Sequence, residues 1–424
     1  MTRRSCLRWR IGVVIAGVLI ALGAGAQQNI PLTLAEAEDL ALDNEPGQAA
    51  LLARADALEE QSIAAGQLPD PKLRVAMANF PLESGSFTTE GMTQAQLGIR
   101  QAFPPGKTRS VSTRQFQSLA MAMTKSADGR SRDVLTAVRQ AWLETYYWHR
   151  AYEITTESRP FFSDLATVSR SLYAVGHKDQ QDVLRAELEL SRLDDRIIDI
   201  NKQLAGARAV LSEWVGGRAS RPLAQNLPNW EQLPALQALQ AELLTHPALK
   251  SADARIDARQ AGVDLAKERF KPGWVLDLGY AYRDGFLPNG DPRSDFVSLA
   301  VTVDLPLFRK NRQDRRLAAA LSERLAANES REELMRRLSS RLEAEYARWQ
   351  DLTRRMELYE RLILTQAEDQ AKAALAAYQS DAGDFADVMR GYIDELNARL
   401  KHIRLQVERA QSFAVLANLG GLPR

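Results

Sequence analysis

The stretch "WVLDLGYAY" at Trp274–Tyr282 decides how this chain is interpreted. Its large apolar residues fall on every second position, and smaller or polar residues stand between them. A period of two predicts a β-strand with one apolar face. "RVAMANF" at Arg74–Phe80 repeats the pattern in the first half of the chain. Both stretches interrupt a sequence rich in Ala, Leu, Arg, Glu and Gln, a composition typical of long packed helices.

Each of these strands is followed by a returning one. We expect strands at about 72–80 and 93–103 in the first half, and at about 274–284 and 295–305 in the second. Alternation over about ten residues is typical of outer-membrane barrel strands, although a soluble antiparallel sheet with one face on a core explains it too. Four strands cannot close a barrel, and open edges cannot face lipid. In a membrane, therefore, several chains must each supply four strands: two chains give eight, and three give twelve with space for a lumen.

The sequence contains an internal duplication, which residues recurring at a nearly constant offset show. Pro46 and Pro71 recur 201 positions later as Pro247 and Pro272, Pro104 recurs 202 positions later as Pro306, and Tyr173 recurs 205 positions later as Tyr378. This spacing predicts a first structural repeat at 27–217, a linker at 218–234 and a second repeat at 235–424. Each repeat contains a short helix, a helix of about twenty residues, two strands and a hairpin of two long helices.

The long helices are expected at about 107–174 and 309–378, and the helices that return from them at about 180–214 and 385–418. At ~1.5 Å per residue each long helix would measure about 100 Å. Pro160 is expected to kink or break the first of them, because proline lacks the N–H and clashes with the preceding turn. Arg361 stands near the corresponding place in the second repeat, so the two helices need not bend alike.

The first 26 residues have the pattern of a secretory signal peptide: a basic start, an apolar run from Ile11 to Leu22, and small residues before Gln27. Cleavage after Ala26 would remove Cys6, the only cysteine, and four arginines. The remaining 51 Lys and Arg stand against 54 Asp and Glu, a net charge of about −3. Nothing in that balance favours nucleic acid as a partner.

No residue pattern predicts catalysis. The four histidines are scattered, the methionines form no cluster, and no metal-ligating spacing or phosphate-binding loop occurs. We therefore expect neither an enzyme nor a bound cofactor, and no metal-selecting ligand set.

The turn "QAFPPGKTR" at Gln101–Arg109 leads from strand to long helix. Pro104 and Pro105 stop the strand ladder, Gly106 permits the change of direction, and Pro306 has the same place in the second repeat. With the signal peptide, the duplicated halves and a "Y-x-x-G…DVL" turn, this junction resembles that of the TolC-like outer-membrane efflux channels. "PDPKLRVAMANFPL" at Pro69–Leu82 is most similar to subunits of heavy-metal resistance-nodulation-division systems.

The resemblance implies a mainly α-helical protein with a transmembrane β-barrel. Three copies would complete a twelve-stranded barrel in the outer-membrane lipid, and their long-helix hairpins would form an α-barrel in the periplasm. It further implies docking to a periplasmic adaptor and to an inner-membrane resistance-nodulation-division pump. Two alternatives stay open: the channel of a one-step (type I) protein secretion system, and a soluble periplasmic coiled-coil scaffold.

The helix hairpins turn at Tyr173–Val183 and at Tyr378–Val388. Carboxylates at these turns can cap the following helices or, in a trimer, form acidic rings at a periplasmic gate. The gate candidates are Asp179, Asp182, Asp384 and Asp387, with Arg185 and Arg390 as nearby partners. The candidates for adaptor contact, which simple turn packing would also explain, are Tyr173, Gly176, Tyr378 and Gly383.

Overall fold

The computed structural model describes residues 30–43, 45–230 and 232–422, so the predicted signal peptide lies outside the described residues. The chain divides into two compact units. Unit 1 contains residues 30–43, 137–230 and 351–411, and unit 2 contains residues 45–136, 232–350 and 412–422. Each unit takes segments from both predicted repeats, so the repeat boundaries remain a prediction from the sequence.

The elements follow one another in the same order in both halves. The first half contains α1 (Leu34–Asp43), α2 (Pro46–Ala65), β1 (Lys72–Ala78), β2 (Gln94–Phe103), α3 (Thr108–Ala174) and α4 (Gln180–Val215). The second contains α5 (Leu236–Leu243), α6 (Pro247–Glu268), β3 (Trp274–Tyr282), β4 (Phe296–Val303), α7 (Gln313–Leu358), α8 (Leu364–Gln379) and α9 (Phe385–Gly420). Among the described helices, none combines the length and the apolar character that crossing a bilayer requires.

Local signals set the helix starts. Pro46 and Pro247 occupy the first turns of α2 and α6, where a missing N–H costs nothing. His246 precedes α6, and its Nδ1 accepts a hydrogen bond from the N–H of Ala248 at 3.2 Å. Burial lowers the pKa of His246 below its usual value, so the imidazole is a neutral cap.

Of the kink or break expected at Pro160, the break does not occur, because α3 is continuous through it. Arg159, the residue before the proline, forms a two-pronged ion pair with Asp194 of α4 at 2.6 and 3.0 Å, and Phe162 is buried in the core just beyond. Packing and this ion pair hold the helix where the proline weakens it. The irregularity lies in the second half instead, where five residues in π-helical geometry, Tyr359–Ile363, separate α7 from α8.

Unit 1 is held together by a core between α3, α4, α8 and α9. On α4, Ala186, Leu193 and Ile200 are buried at intervals of seven residues, the spacing of a coiled-coil seam. Ile154 and Leu165 of α3 pack in the same cluster. The expectation of paired long helices is thus met by a heptad-like core.

Unit 2 contains the sheet and a separate helical core. Leu239 and Leu243 of α5 pack with Leu342 of α7 and Leu416 of α9, all of them almost fully buried. At the sheet end, the rings of Phe103 and Trp274 stack with their centroids 3.8 Å apart.

The sheet is antiparallel in the order β1-β2-β3-β4, which leaves β1 and β4 as its two edges. One face carries apolar side chains that are strongly exposed: Val75 is 75 % exposed, Leu299 69 % and Val297 75 %. Small and polar residues share the other face, for example the row Arg74, Gly98, Gly279 and Ser298 across the four strands. The alternation seen in the sequence is therefore real, and no core within the described residues covers the apolar face.

All four strands are shorter than predicted, each by a residue or more. β1 ends before Asn79, whose φ of 54° leaves the extended region. β3 ends and β4 begins where the N–H of Arg283 donates to the side chain of Asp295 at 3.0 Å in place of a ladder carbonyl. Past Val303 the backbone turns, with the N–H of Leu307 donating to the carbonyl of Leu305 at 2.9 Å.

Candidate functional site

The two hairpin turns form the candidate site, and both belong to unit 1. Turn A (residues 175–179) joins α3 to α4, and turn B (residues 380–384) joins α8 to α9. Each ends its helix with a residue of positive φ, Gly176 at 76° and Asp381 at 62°. In each, the next N–H donates to a carbonyl five residues back: His177 to Leu172 at 3.0 Å, and Ala382 to Ala377 at 2.8 Å.

The structural counterpart of Gly176 is therefore Asp381, at the repeat offset of 205, and not Gly383. Gly383 is not among the residues with positive φ in the described part of the chain. A Cβ at Gly383 would lie 3.0 Å from the Cβ of Ala377, so this glycine permits close packing instead.

Lys178 links the two turns. Its Nζ forms an ion pair with the carboxylate of Asp381 and lies 4.7 Å from the centre of the Tyr378 ring. Lys178 lowers the pKa of Asp381 below its usual 3.8. A carboxyl group whose pKa is lower in the folded protein than in the unfolded chain stabilises the fold at pH values above the unfolded-state pKa. This stabilisation is lost as the pH falls through the folded-state pKa. The contact therefore persists at neutral and mildly acidic pH.

The adaptor-contact candidates differ in exposure. Tyr173, in the last turn of α3 just before turn A, is half-exposed, whereas Tyr378 is buried and meets Phe385 edge-to-face at 5.3 Å. A groove of about 680 Å³ beside the turns is lined by Phe161, Val168 and other apolar residues, with Tyr378 and Lys178 at its wall. In this conformation Tyr378 supports the turn and borders the groove.

The four carboxylates fall into two groups. Asp179 occupies the N-cap position of α4, but its side chain makes no capping hydrogen bond. Asp182 is half-buried; burial raises its pKa above the usual 3.8, Asp179 and Asp384 raise it further, and Arg185 opposes them. The charges of Asp179 in turn A and Asp384 in turn B thus both act on Asp182. Asp387 is separate, exposed and paired with Arg390 one turn along its own helix at 3.1 Å.

The strand-to-helix junction is built around Gly106. Its φ is 53°, and a Cβ there would lie 1.9 Å from Oε2 of Glu268. Glu268 accepts a hydrogen bond from the N–H of Lys107 at 2.7 Å, and Lys271 and that N–H lower its pKa. Pro104 and Pro105 precede the turn as predicted, and Pro306 follows β4.

Within the described part of the chain, no three or more His, Asp and Glu side chains gather in a way that could hold a metal ion.

Comparison with known proteins identifies proteins that are similar to this chain. Residues 238–422 match the family described as outer membrane efflux protein. The cobalt-zinc-cadmium resistance protein CzcC of Cupriavidus metallidurans is 22 % identical over 399 residues, covering 92 % of this chain and 90 % of that protein. The second half of the chain thus matches the outer membrane efflux protein family, and most of the chain is similar to CzcC.

Solved structures of membrane proteins share the fold of this chain. A membrane protein from Pseudomonas aeruginosa superposes with a TM-score of 0.80 at 17 % identity, covering 97 % of this chain and 98 % of that one. The channel-forming protein CusC superposes with a TM-score of 0.78 at 16 % identity, covering 95 % of each chain. At these identities the likeness is one of fold.

Sequence reasoning missed three residues of the candidate site. Lys178 and Asp381 are 203 positions apart, and only folding shows that they meet. A signal for Asp381 did exist, since the repeat offset places it opposite Gly176. Glu268 gave no signal, because its role depends on how closely Gly106 approaches α6.

Proposed function

We propose that this protein is the exit duct of a tripartite efflux pump. Three copies close a twelve-stranded barrel in the outer membrane, and their helix hairpins form a tunnel in the periplasm. A periplasmic adaptor and an inner-membrane resistance-nodulation-division pump dock on it and supply the energy. Export begins with a signal peptide at residues 1–26, and heavy-metal cations are the proposed cargo.

The apolar face of the sheet carries this proposal. Val75, Val297 and Leu299 are exposed on one side of a sheet whose edges β1 and β4 are both open. An exposed apolar surface of this kind needs a partner or lipid, and open edges are excluded from lipid. Closure by further copies satisfies both demands.

The hairpin turns are the proposed periplasmic gate. In a trimer each carboxylate occurs three times around the axis, so Asp182 and Asp387 would form acidic rings that attract cations. Tyr173 and Gly176, with the groove bordered by Tyr378 and the close-packed Gly383, are the proposed adaptor contact. Opening by separation of the paired helices would break the contact of Lys178 with Asp381, and docking of the adaptor would compensate for its loss.

The cargo is proposed from the name of CzcC, a cobalt-zinc-cadmium resistance protein. We expect deletion of the gene, in a strain without redundant channels, to lower the tolerated concentrations of zinc, cadmium and cobalt severalfold. Growth on graded metal concentrations measures this, with the wild-type gene on a plasmid as the control. Unchanged metal tolerance combined with loss of a secreted protein would favour the secretion channel instead.

Asp387 offers a direct test of the acidic ring. Asp387→Ala should weaken block of single-channel conductance by divalent and trivalent cations, because three carboxylates leave the mouth together. Planar-bilayer recordings of the purified protein measure the block. Asp199→Ala, which removes an exposed carboxylate of α4 paired with Lys202, is the control. Equal block in both variants and the wild type would exclude Asp387 from the pore mouth.

A further inference from the structure

The two edges of the sheet carry opposite charges on its polar face. Lys72 and Arg74 lie on β1, while Asp304 follows β4 and extends the ladder, its N–H donating to the carbonyl of Gly273 at 2.8 Å. The ion pair of this face is Arg100 with Asp277, 3.6 Å apart in the middle of the sheet. Among the described residues, Lys72, Arg74 and Asp304 have no ionic partner in their own chain.

We infer that these charges meet across the seam between two copies of this chain. Asp304 of one copy lies opposite the cations of β1 in the next, inside the lumen, and thereby fixes the register in which the barrel closes. This inference rests on the proposed barrel of several copies and adds the residues that select the partner strand.

The register follows from packing already present inside one chain. There β2 of the first repeat pairs with β3 of the second, with Arg100 opposite Asp277. At the seam β4 takes the place of β2, and β1 takes the place of β3.

The repeat offsets of 202 and 201 residues then put Thr302 in the place of Arg100, and Ala76 in that of Asp277. In an antiparallel pair with Thr302 opposite Ala76, Asp304 is opposite Arg74. In the same register Leu305 is opposite Leu73, and the alternation along each strand assigns both residues to the apolar face. This register therefore continues the apolar and the polar face of the sheet across the seam.

The two repeats match in register only to within two residues: after the same offsets are applied, the register of β3 with β4 differs by two residues from that of β1 with β2. The register at the seam can therefore be shifted by two residues in either direction. One slip puts Asp304 opposite Lys72, the other opposite Ala76. In a closed barrel the registers of all strand pairs together set the stagger, and the stagger sets the strand tilt. For twelve strands the tilt is about 46° if Asp304 is opposite Arg74, about 35° if it is opposite Lys72 and about 54° if it is opposite Ala76. The tilts for Arg74 and Lys72 lie close to the two ends of the roughly 35–45° typical of such barrels, whereas the tilt for Ala76 exceeds that range by about 9°. Both registers close to that range oppose Asp304 to a cation.

Cysteine pairs test the seam, since Cys6 is the only cysteine of the sequence and can be replaced by serine beforehand. D304C is combined with R74C, with K72C or with A76C, and isolated outer membranes are oxidised. Directly opposed strand residues lie close enough for a disulfide. We expect disulfide-linked dimers and trimers on non-reducing gels for R74C or K72C, and none for A76C or for the single variants.

A charge reversal tests the electrostatic part. D304K should lower the temperature at which the trimer dissociates, and adding R74E and K72E together should restore it. Linkage through A76C, or no restoration by the reversed charges, would overturn the inference.

Amine crosslinking and bilayer conductance of the same preparations separate the two levels. Conducting trimers that show no linkage from position 304 to 72 or 74 refute the seam alone. Monomers that form no pore refute the proposed function as well.

Discussion

Leu299→Arg should prevent the protein from accumulating in the outer membrane as a stable trimer. Leu299 lies in the middle of β4 on the apolar face and is 69 % exposed. An arginine on the lipid face near the bilayer centre costs about 2–4 kcal/mol, and a trimer carries three of them. Membrane fractionation and the shift of unheated samples on denaturing gels measure the loss of the trimer.

Ser298→Arg is the matched control, since it places the same charge one residue earlier in the same strand. Ser298 lies on the polar face opposite Gly279, where a lumen of twelve strands leaves room for a long side chain. We expect this variant to assemble. A soluble scaffold makes a different prediction, because Leu299→Arg would then leave the protein folded and free of the membrane. If both variants assembled equally well, the apolar face would not face lipid.

Periodic elements were predictable from the sequence because their physical causes are local. The alternation in Trp274–Tyr282 sets the faces of β3 regardless of what lies beside it, and Pro46 and Pro247 mark helix starts by their missing N–H. The same local reasoning did not exclude a break at Pro160, where the ion pair of Arg159 with Asp194 and the core beyond it stabilise a continuous helix that proline alone would weaken.

The candidate site was predictable only in part. The repeat located both turns and their carboxylates, but not which carboxylates interact. Asp182 interacts with Asp179 and Asp384, whereas Asp387 pairs with Arg390 on its own helix. Partners distant in sequence, such as Lys178 and Asp381, carry no periodic signal. The buried ion pair of Arg139 with Glu38 in unit 1 also joins residues that are distant in sequence, and it too carries no periodic signal.

Arg139→Met should destabilise unit 1 by about 3–5 kcal/mol, because it leaves the carboxylate of Glu38 buried without its partner. The Nε of Arg139 lies 2.6 Å from Oε1 of Glu38, and both side chains are only 5–6 % exposed. The guanidinium also lies 5.2 Å from the centre of the Trp230 ring. An exposed ion pair such as Lys202 with Asp199 should cost no more than about 1 kcal/mol when one partner is removed.

The double variant Glu38→Leu with Arg139→Met separates charge from packing. Removing both charges takes away the unpaired ion, so much of the lost free energy of unfolding should return. Urea unfolding in detergent, followed through Trp142 and Trp230 of unit 1, measures all three variants, with Lys202→Met as the exposed control. A double variant as unstable as Arg139→Met would show that side-chain packing around Arg139, and not the unpaired carboxylate, sets the cost. A single variant as stable as the exposed control would show that water enters this site and compensates the charge.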